Sequence, residues 1–143
     1  MIRVVLDTNI IVSGLLQPLG PPAQVLVLAI DGSIQLCISG SIYAEYEEVL
    51  SRPRFHLGED IIAGALSAIR EKASWVRPTE TIRACSDPDD DILLECAHAA
   101  QANYLVTGNL KHFPTAWPGM HIVTARRLLD IILAGLEGVP TSI

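Results

Sequence analysis

Arg3-Val4-Val5-Leu6-Asp7-Thr8-Asn9-Ile10-Ile11-Val12 runs three aliphatic residues into a carboxylate and then resumes as an apolar segment. An unbroken aliphatic run of this length reads as a strand buried on both faces, Arg3 to Asp7, followed by a brief helix from Asn9 to Leu16. Asp7 closes the strand. A lone carboxylate at the end of a buried run is costly unless something pairs with it or a metal binds it. An aspartate here has an ordinary use too, as a turn former or the N-cap of the next helix. The choice between these depends on what else reaches the same place.

Three further segments set an acid or an amide where a strand meets a helix: Ala44-Glu45-Tyr46, Asp87-Pro88-Asp89-Asp90-Asp91 and Val106-Thr107-Gly108-Asn109. Between them the chain alternates. Pro21 and Pro22 suit the opening of a helix from Ala23 to Ile30. Ile34 to Ile38 reads as a strand, and Ser41 as the cap of a helix ending near Ser51, stopped by Pro53. A helix from Glu59 to Ala73 shows Ile62, Leu66, Ile69 and Ala73 at helical spacing. Ser74 to Val76 is a minor strand, and Asp87-Pro88 starts a helix reaching Gln101. Tyr104 to Thr107 and His121 to Val123 are strands, and Thr124 caps a last helix to about Leu136. This order predicts one domain, residues 1–143, an α/β/α sandwich around a mainly parallel sheet of four to five strands. Ligands of such sheets bind beyond the carboxyl ends of the strands, where all four segments fall.

Helical phase separates the acids. Ile42, Tyr46, Val49 and Leu50 define an inward face with Glu45 at its rim, whereas Glu47 and Glu48 point to solvent. An acid in a first turn also complements the helix dipole, but that does not require an inward position. Around the stripe Leu93, Ala97 and Ala100, Asp89 and Asp90 sit on the two shoulders and Asp91 points outward; phase does not choose between Asp89 and Asp90. Thr107 and Asn109 offer a hydroxyl and an amide oxygen, although Gly108-Asn109 is also an ordinary turn pair. Arg52, Arg54, Lys111 and His112 are candidates for phosphate contacts, against the commoner role of solvated surface charge. Gathered carboxylates repel one another unless a cation lies among them, so a divalent metal site is the reading to test.

Composition sets outer limits. The chain has 143 residues, 50% of them hydrophobic, which is enough for a genuine core and excludes a disordered polar chain. Its net charge of −6 argues against a general nucleic-acid coat protein but leaves a nucleic-acid enzyme open. Cys37, Cys85 and Cys96 are odd in number and lack C-x-x-C spacing, which points to free thiols. The first residues lack the pattern of a signal peptide and no apolar stretch is long enough to span a bilayer, so a soluble cytoplasmic protein is expected.

Taken in order, these segments resemble the PIN-domain family over essentially the whole chain. Leu6-Asp7-Thr8-Asn9 resembles the family's opening motif, Glu45 its helical glutamate, Asp87 to Asp91 its third motif and Thr107-Gly108-Asn109 its fourth. Counted back from Ala97, the family aspartate falls on Asp90. Ser51-Arg52-Pro53-Arg54-Phe55 and Gly108-Asn109-Leu110-Lys111-His112-Phe113-Pro114 are similar to the subgroup of toxin components from toxin–antitoxin modules, the VapC-like ribonucleases. The resemblance implies a metal-dependent endoribonuclease in which Asp7, Glu45 and Asp90 hold Mg²⁺ or Mn²⁺. Asn109 belongs to the same catalytic group, with Thr8, Asn9, Thr107 and Asp89 in support. It also implies a homodimer and a small antitoxin partner, and the apolar segment Val25 to Ile30 offers a dimer face if it is not simply buried against the sheet. Many family members carry aspartate where this chain has Asn109. The alternative is therefore a catalytically weakened module that only binds RNA or protein. An aspartyl-phosphate enzyme is disfavoured, because Asn9 stands where its second acid is needed.

Overall fold

The computed structural model describes residues 1–138; the last five, on which the single-domain expectation also falls, lie outside the described residues. Five strands form one all-parallel sheet: β1 (Arg3–Leu6), β2 (Gln35–Ile38), β3 (Ser74–Trp75), β4 (Tyr104–Val106) and β5 (His121–Val123), in the order β3-β2-β1-β4-β5. The α/β expectation holds, and its "mainly parallel" sheet is parallel throughout. β1 is central, and Val4, Val5 and Leu6 are fully buried, as an aliphatic run covered on both faces must be.

Around the sheet lie α1 (Thr8–Leu16), α2 (Pro21–Ile30), α3 (Gly40–Leu50), α4 (Glu59–Lys72), α5 (Asp91–Ala100) and α6 (Ala125–Gly138). From β1 the chain moves outward through α1 and α2 to β2, then through α3 and α4 to β3. It then returns through α5 to β4 on the other side of β1. Right-handed crossovers in opposite directions place their helices on opposite faces, giving the layered sandwich. α1 and α2 meet at 105°. Gly14 permits their contact, since a Cβ there would lie 3.3 Å from the Pro22 carbonyl oxygen and from a Leu26 methyl.

Several helix starts follow the sequence and two do not. Pro21 opens α2, and Thr124 Oγ1 accepts a hydrogen bond from the Arg127 amide at the start of α6. For α3 the cap is Ser39, not Ser41: its hydroxyl accepts from the Ile42 amide at 3.3 Å, so the helix begins earlier and Ser41 lies inside it. Asp87 does cap, accepting from the Asp89 amide at 3.0 Å, but what it opens is a 3₁₀ turn, Pro88–Asp90, ahead of α5. Three residues per turn instead of 3.6 shifts the phase of everything before Asp91. Asp91, the first residue of α5 and expected to face outward, is buried by the preceding loop, and its Oδ1 accepts from the amides of Ala84 and Cys85 at 3.1 and 2.8 Å.

All three cysteines are free thiols, Cys37 and Cys96 buried and Cys85 half-buried. Among the described residues no single helix is long and apolar enough to cross a membrane.

Candidate active site

The chain reverses direction across the sheet at β1, and the crevice outside the carboxyl ends of β1 and β4 is where such sheets place ligands. Leu6 pairs with Val106, so Asp7 and Thr107 emerge side by side at that switch point. Asp7 occupies the N-cap position of α1, yet its side chain makes no capping hydrogen bond. Instead its Oδ2 accepts from the Thr107 hydroxyl at 2.8 Å, and both residues are buried. The capping role is thus the wrong explanation for Asp7. Burial raises the Asp7 pKa above the carboxylate norm, opposed by Thr107, by the amides of Asn9 and Thr8 and by His112.

Glu45 reaches the same edge from α3, half-buried as its phase requires, and accepts a hydrogen bond from the Thr8 hydroxyl. Glu47 and Glu48 are exposed. Beneath these acids Tyr46 is wholly buried, and its hydroxyl donates to the Leu6 carbonyl at 2.6 Å. Burial pushes the Tyr46 pKa up, with further contributions from Cys96, Asp7 and Glu45. Tyr46 was read from sequence only as a core residue. It also anchors the last peptide before Asp7, and Tyr46→Phe is expected to cost about 1–3 kcal/mol by orphaning that buried carbonyl. A thermal melt checks this; an unchanged melting temperature would reject the anchoring role.

Asp90 is the member of its run that faces the site. Its side chain is 19% exposed, with Oδ2 3.4 Å from His112 Nδ1. Desolvation, then the negative charges of Asp7 and Asp87, raise its pKa to about 6, with His112 opposing. Asp89 is exposed. Phase left these two undecided; the 3₁₀ turn separates them. Asn109 is half-buried, and its backbone N–H donates to Thr107 Oγ1 at 3.0 Å. Thr107 therefore links the fourth segment to Asp7. A cavity of about 370 Å³ opens here, lined by Gly108, Asn109, Leu110, Lys111, His112 and Thr124.

The outlying candidates divide. Lys111 and His112 border this cavity. Arg52 is instead paired with Glu48 at 2.8 Å, and Arg54 lies over the Phe55 ring at 4.7 Å, so local contacts account for both. Asn9 is exposed beside Asp7.

Among the described residues no three His, Cys, Asp or Glu side chains stand close enough together to enclose a metal ion. The donors are nonetheless of the kind that hold a hydrated hard cation. Mg²⁺ is commonly held through one or two carboxylates and retains several waters. A buried Asp7, and an Asp90 whose pKa is raised by desolvation and then by the charge of Asp7, are both groups whose ionised form a cation would favour.

A family model of the PIN domain matches residues 3–111, from β1 through the fourth segment. The chain belongs to the PIN-domain family. An uncharacterised protein of Methanocaldococcus jannaschii is 31% identical over 111 residues, covering 76% of this chain and 71% of that one. Among solved structures, a crystal structure of VapBC2 from Rickettsia felis, bound to a DNA fragment from its promoter, superposes with a TM-score of 0.57. That match covers 85% of this chain and 97% of the other at 18% identity, a likeness of fold. PIN domains are typically nucleases.

Proposed function

We propose that this PIN domain is a divalent-metal-dependent endoribonuclease, working as one unit in the cytoplasm as the toxin of a toxin–antitoxin pair. The observation that carries the reading is the buried Asp7 carboxylate at the switch point of the sheet, released from capping and tied to Thr107. In this reading Asp7, Glu45 and Asp90 hold Mg²⁺ or Mn²⁺, which would acidify a bound water and neutralise charge on the scissile phosphate. Thr107 orients Asp7, and Thr8 orients Glu45 through their hydroxyl hydrogen bonds. Tyr46 fixes the backbone between them. His112 stands beside Asp90 and, with Lys111, offers positive charge to a phosphate at the cavity mouth. Products with a 5′-phosphate and a 3′-hydroxyl follow from the family resemblance.

The test is cleavage of single-stranded RNA by the full chain in Mn²⁺. Undiminished cleavage in EDTA would reject the scheme.

Asn109 favours a weaker metal site than an aspartate would, which keeps the binding-module alternative in view. Asn109→Asp adds a formal charge beside Thr107 and is expected to tighten Mn²⁺ binding about tenfold. Titration calorimetry reads this directly. If the parent is inert on RNA and Asn109→Asp cuts it, the weakened-module alternative is the correct one.

For partners, Val27 is 60% exposed while Val25, Leu26 and Ala29 are buried, so α2 serves the core and still presents an apolar strip. Leu19 and Leu133 are also exposed. A strip of this kind favours a protein partner, in this reading a second copy or a small antitoxin.

A further inference from the structure

The carboxyl edge of the sheet carries a second feature on the β2–β3 side of Asp7. Extending the register Val4 with Leu36 and Ile38 with Trp75 puts Ser39 level with Asp7, and Val76 level with Ser39. Adjacent strands lie about 4.8 Å apart, so the backbone at Val76 is roughly 10 Å from that at Asp7. A cavity of about 540 Å³ opens there, with Ser39, Ser41, Trp75, Val76 and Arg77 in its wall.

Trp75 is the unusual member. It is 46% exposed, yet its position is fixed: Nε1 donates to the Arg70 carbonyl at 3.2 Å, and the ring packs against Tyr43 with centroids 5.3 Å apart. Arg77 is exposed and, among the described residues, makes no ion pair. From Arg70 to Arg77 the chain has Arg70, Lys72 and Arg77 against the single acid Glu71, in a protein whose net charge is −6. Arg70 is engaged with Tyr43, its guanidinium donating to the Tyr43 hydroxyl at 3.0 Å, and Lys72 precedes β3, which leaves Arg77 as the cation beside the solvent-facing indole in the cavity wall.

Single-stranded nucleic acid is the ligand that uses both parts. Bases of any sequence stack on aromatic faces while cations follow the backbone. A pre-positioned ring loses little freedom on stacking. An acidic protein segment would use the cation and leave the indole idle. We propose that Trp75 and Arg77 form a subsite for a nucleotide of single-stranded RNA that flanks the one at Asp7, with Trp75 stacking the base and Arg77 pairing the phosphate. The proposal rests on the ribonuclease reading above and names how that enzyme holds its substrate.

The experiment uses the full chain carrying Asp7→Asn to suppress cleavage and Trp117→Phe, which leaves Trp75 as the remaining tryptophan of the two. A short single-stranded oligoribonucleotide is titrated in without divalent metal. Saturable quenching of Trp75 fluorescence is expected. Fluorescence anisotropy of the same oligoribonucleotide carrying a dye label reads the variants, since those at Trp75 lack the indole: Trp75→Ala and Arg77→Ala, with melts confirming that they fold, should each weaken binding about tenfold, and Trp75→Phe should retain most of the affinity. Unchanged binding in all three variants overturns the subsite and leaves the ribonuclease reading standing, as does absence of binding while the parent still cuts RNA. Absence of both binding and Mn²⁺-dependent cleavage overturns the two together. Equal quenching by an acidic peptide would show a general anion surface and reject base stacking.

Discussion

Asp7→Asn is expected to lower RNA cleavage by at least about a thousandfold and, in the same protein, to raise the melting temperature in EDTA. The first effect follows from losing the most enclosed of the proposed metal-holding oxygens. A cation that stabilises the phosphoryl transition state by several kcal/mol accounts for a loss of that size. The second follows from the metal-free protein itself. Asp7 is 6% exposed and no cation pairs with it among the described residues, so its charge is held against a desolvation cost. An asparagine keeps an oxygen for the Thr107 hydroxyl and removes the charge. A gain of about 1 kcal/mol, or about 3 °C in a chain of this size, is the expected scale. Activity and stability moving in opposite directions is the signature of a site strained for function. A variant that cuts RNA like its parent, or that melts lower in EDTA, would remove Asp7 from the centre of the account.

That centre was legible in the sequence because it depends on strand ends. An aliphatic run of three residues fixes β1, and the residue after it must lie at the carboxyl edge. The same argument places Thr107. Glu45 was legible from phase, because α3 is regular around it and Tyr46 is its fully buried neighbour. Phase failed one turn before α5, where the Asp87 cap and Pro88 create a 3₁₀ turn instead of continuing the α-helix. Asp91, at the start of α5, is covered instead by the loop whose Ala84 and Cys85 amides it binds, and that loop carries no periodic signal. Ser39 rather than Ser41 as the cap of α3 is a smaller miss of the same kind, since both are good capping residues and only the end of β2 decides between them. The local engagement of Arg52 with Glu48 was available from their spacing of four residues. The Trp75 strip went unread because it spans the end of a helix, a two-residue strand and a loop, and becomes a surface only when β3 pairs with β2.

The metal-free protein should also be less stable at neutral pH than in mild acid, and Mn²⁺ should reverse that order. Desolvation and the nearby charge of Asp7 raise the Asp90 pKa to about 6, above the usual carboxylate range, and burial shifts Asp7 in the same direction. When the folded pKa is the higher one, the native state binds protons more readily than the unfolded chain. The resulting stability is whole below the unfolded value and disappears as pH rises through the folded value. In EDTA, melting temperatures should therefore fall between pH about 5 and about 7.5, and the fall should shrink in Asp90→Asn, which isolates this group from the histidines. A divalent cation selects the deprotonated oxygens, so its affinity grows with pH across the same interval. At a metal concentration a hundredfold above Kd, binding adds about 2.7 kcal/mol, enough to overcome the loss at neutral pH and absent from Asp7→Asn. Scanning calorimetry on parent, Asp7→Asn and Asp90→Asn, with and without Mn²⁺, separates the two contributions. A parent protein whose melt climbs with pH in EDTA, or ignores Mn²⁺ at neutral pH, would mean that these carboxylates are not a cation site.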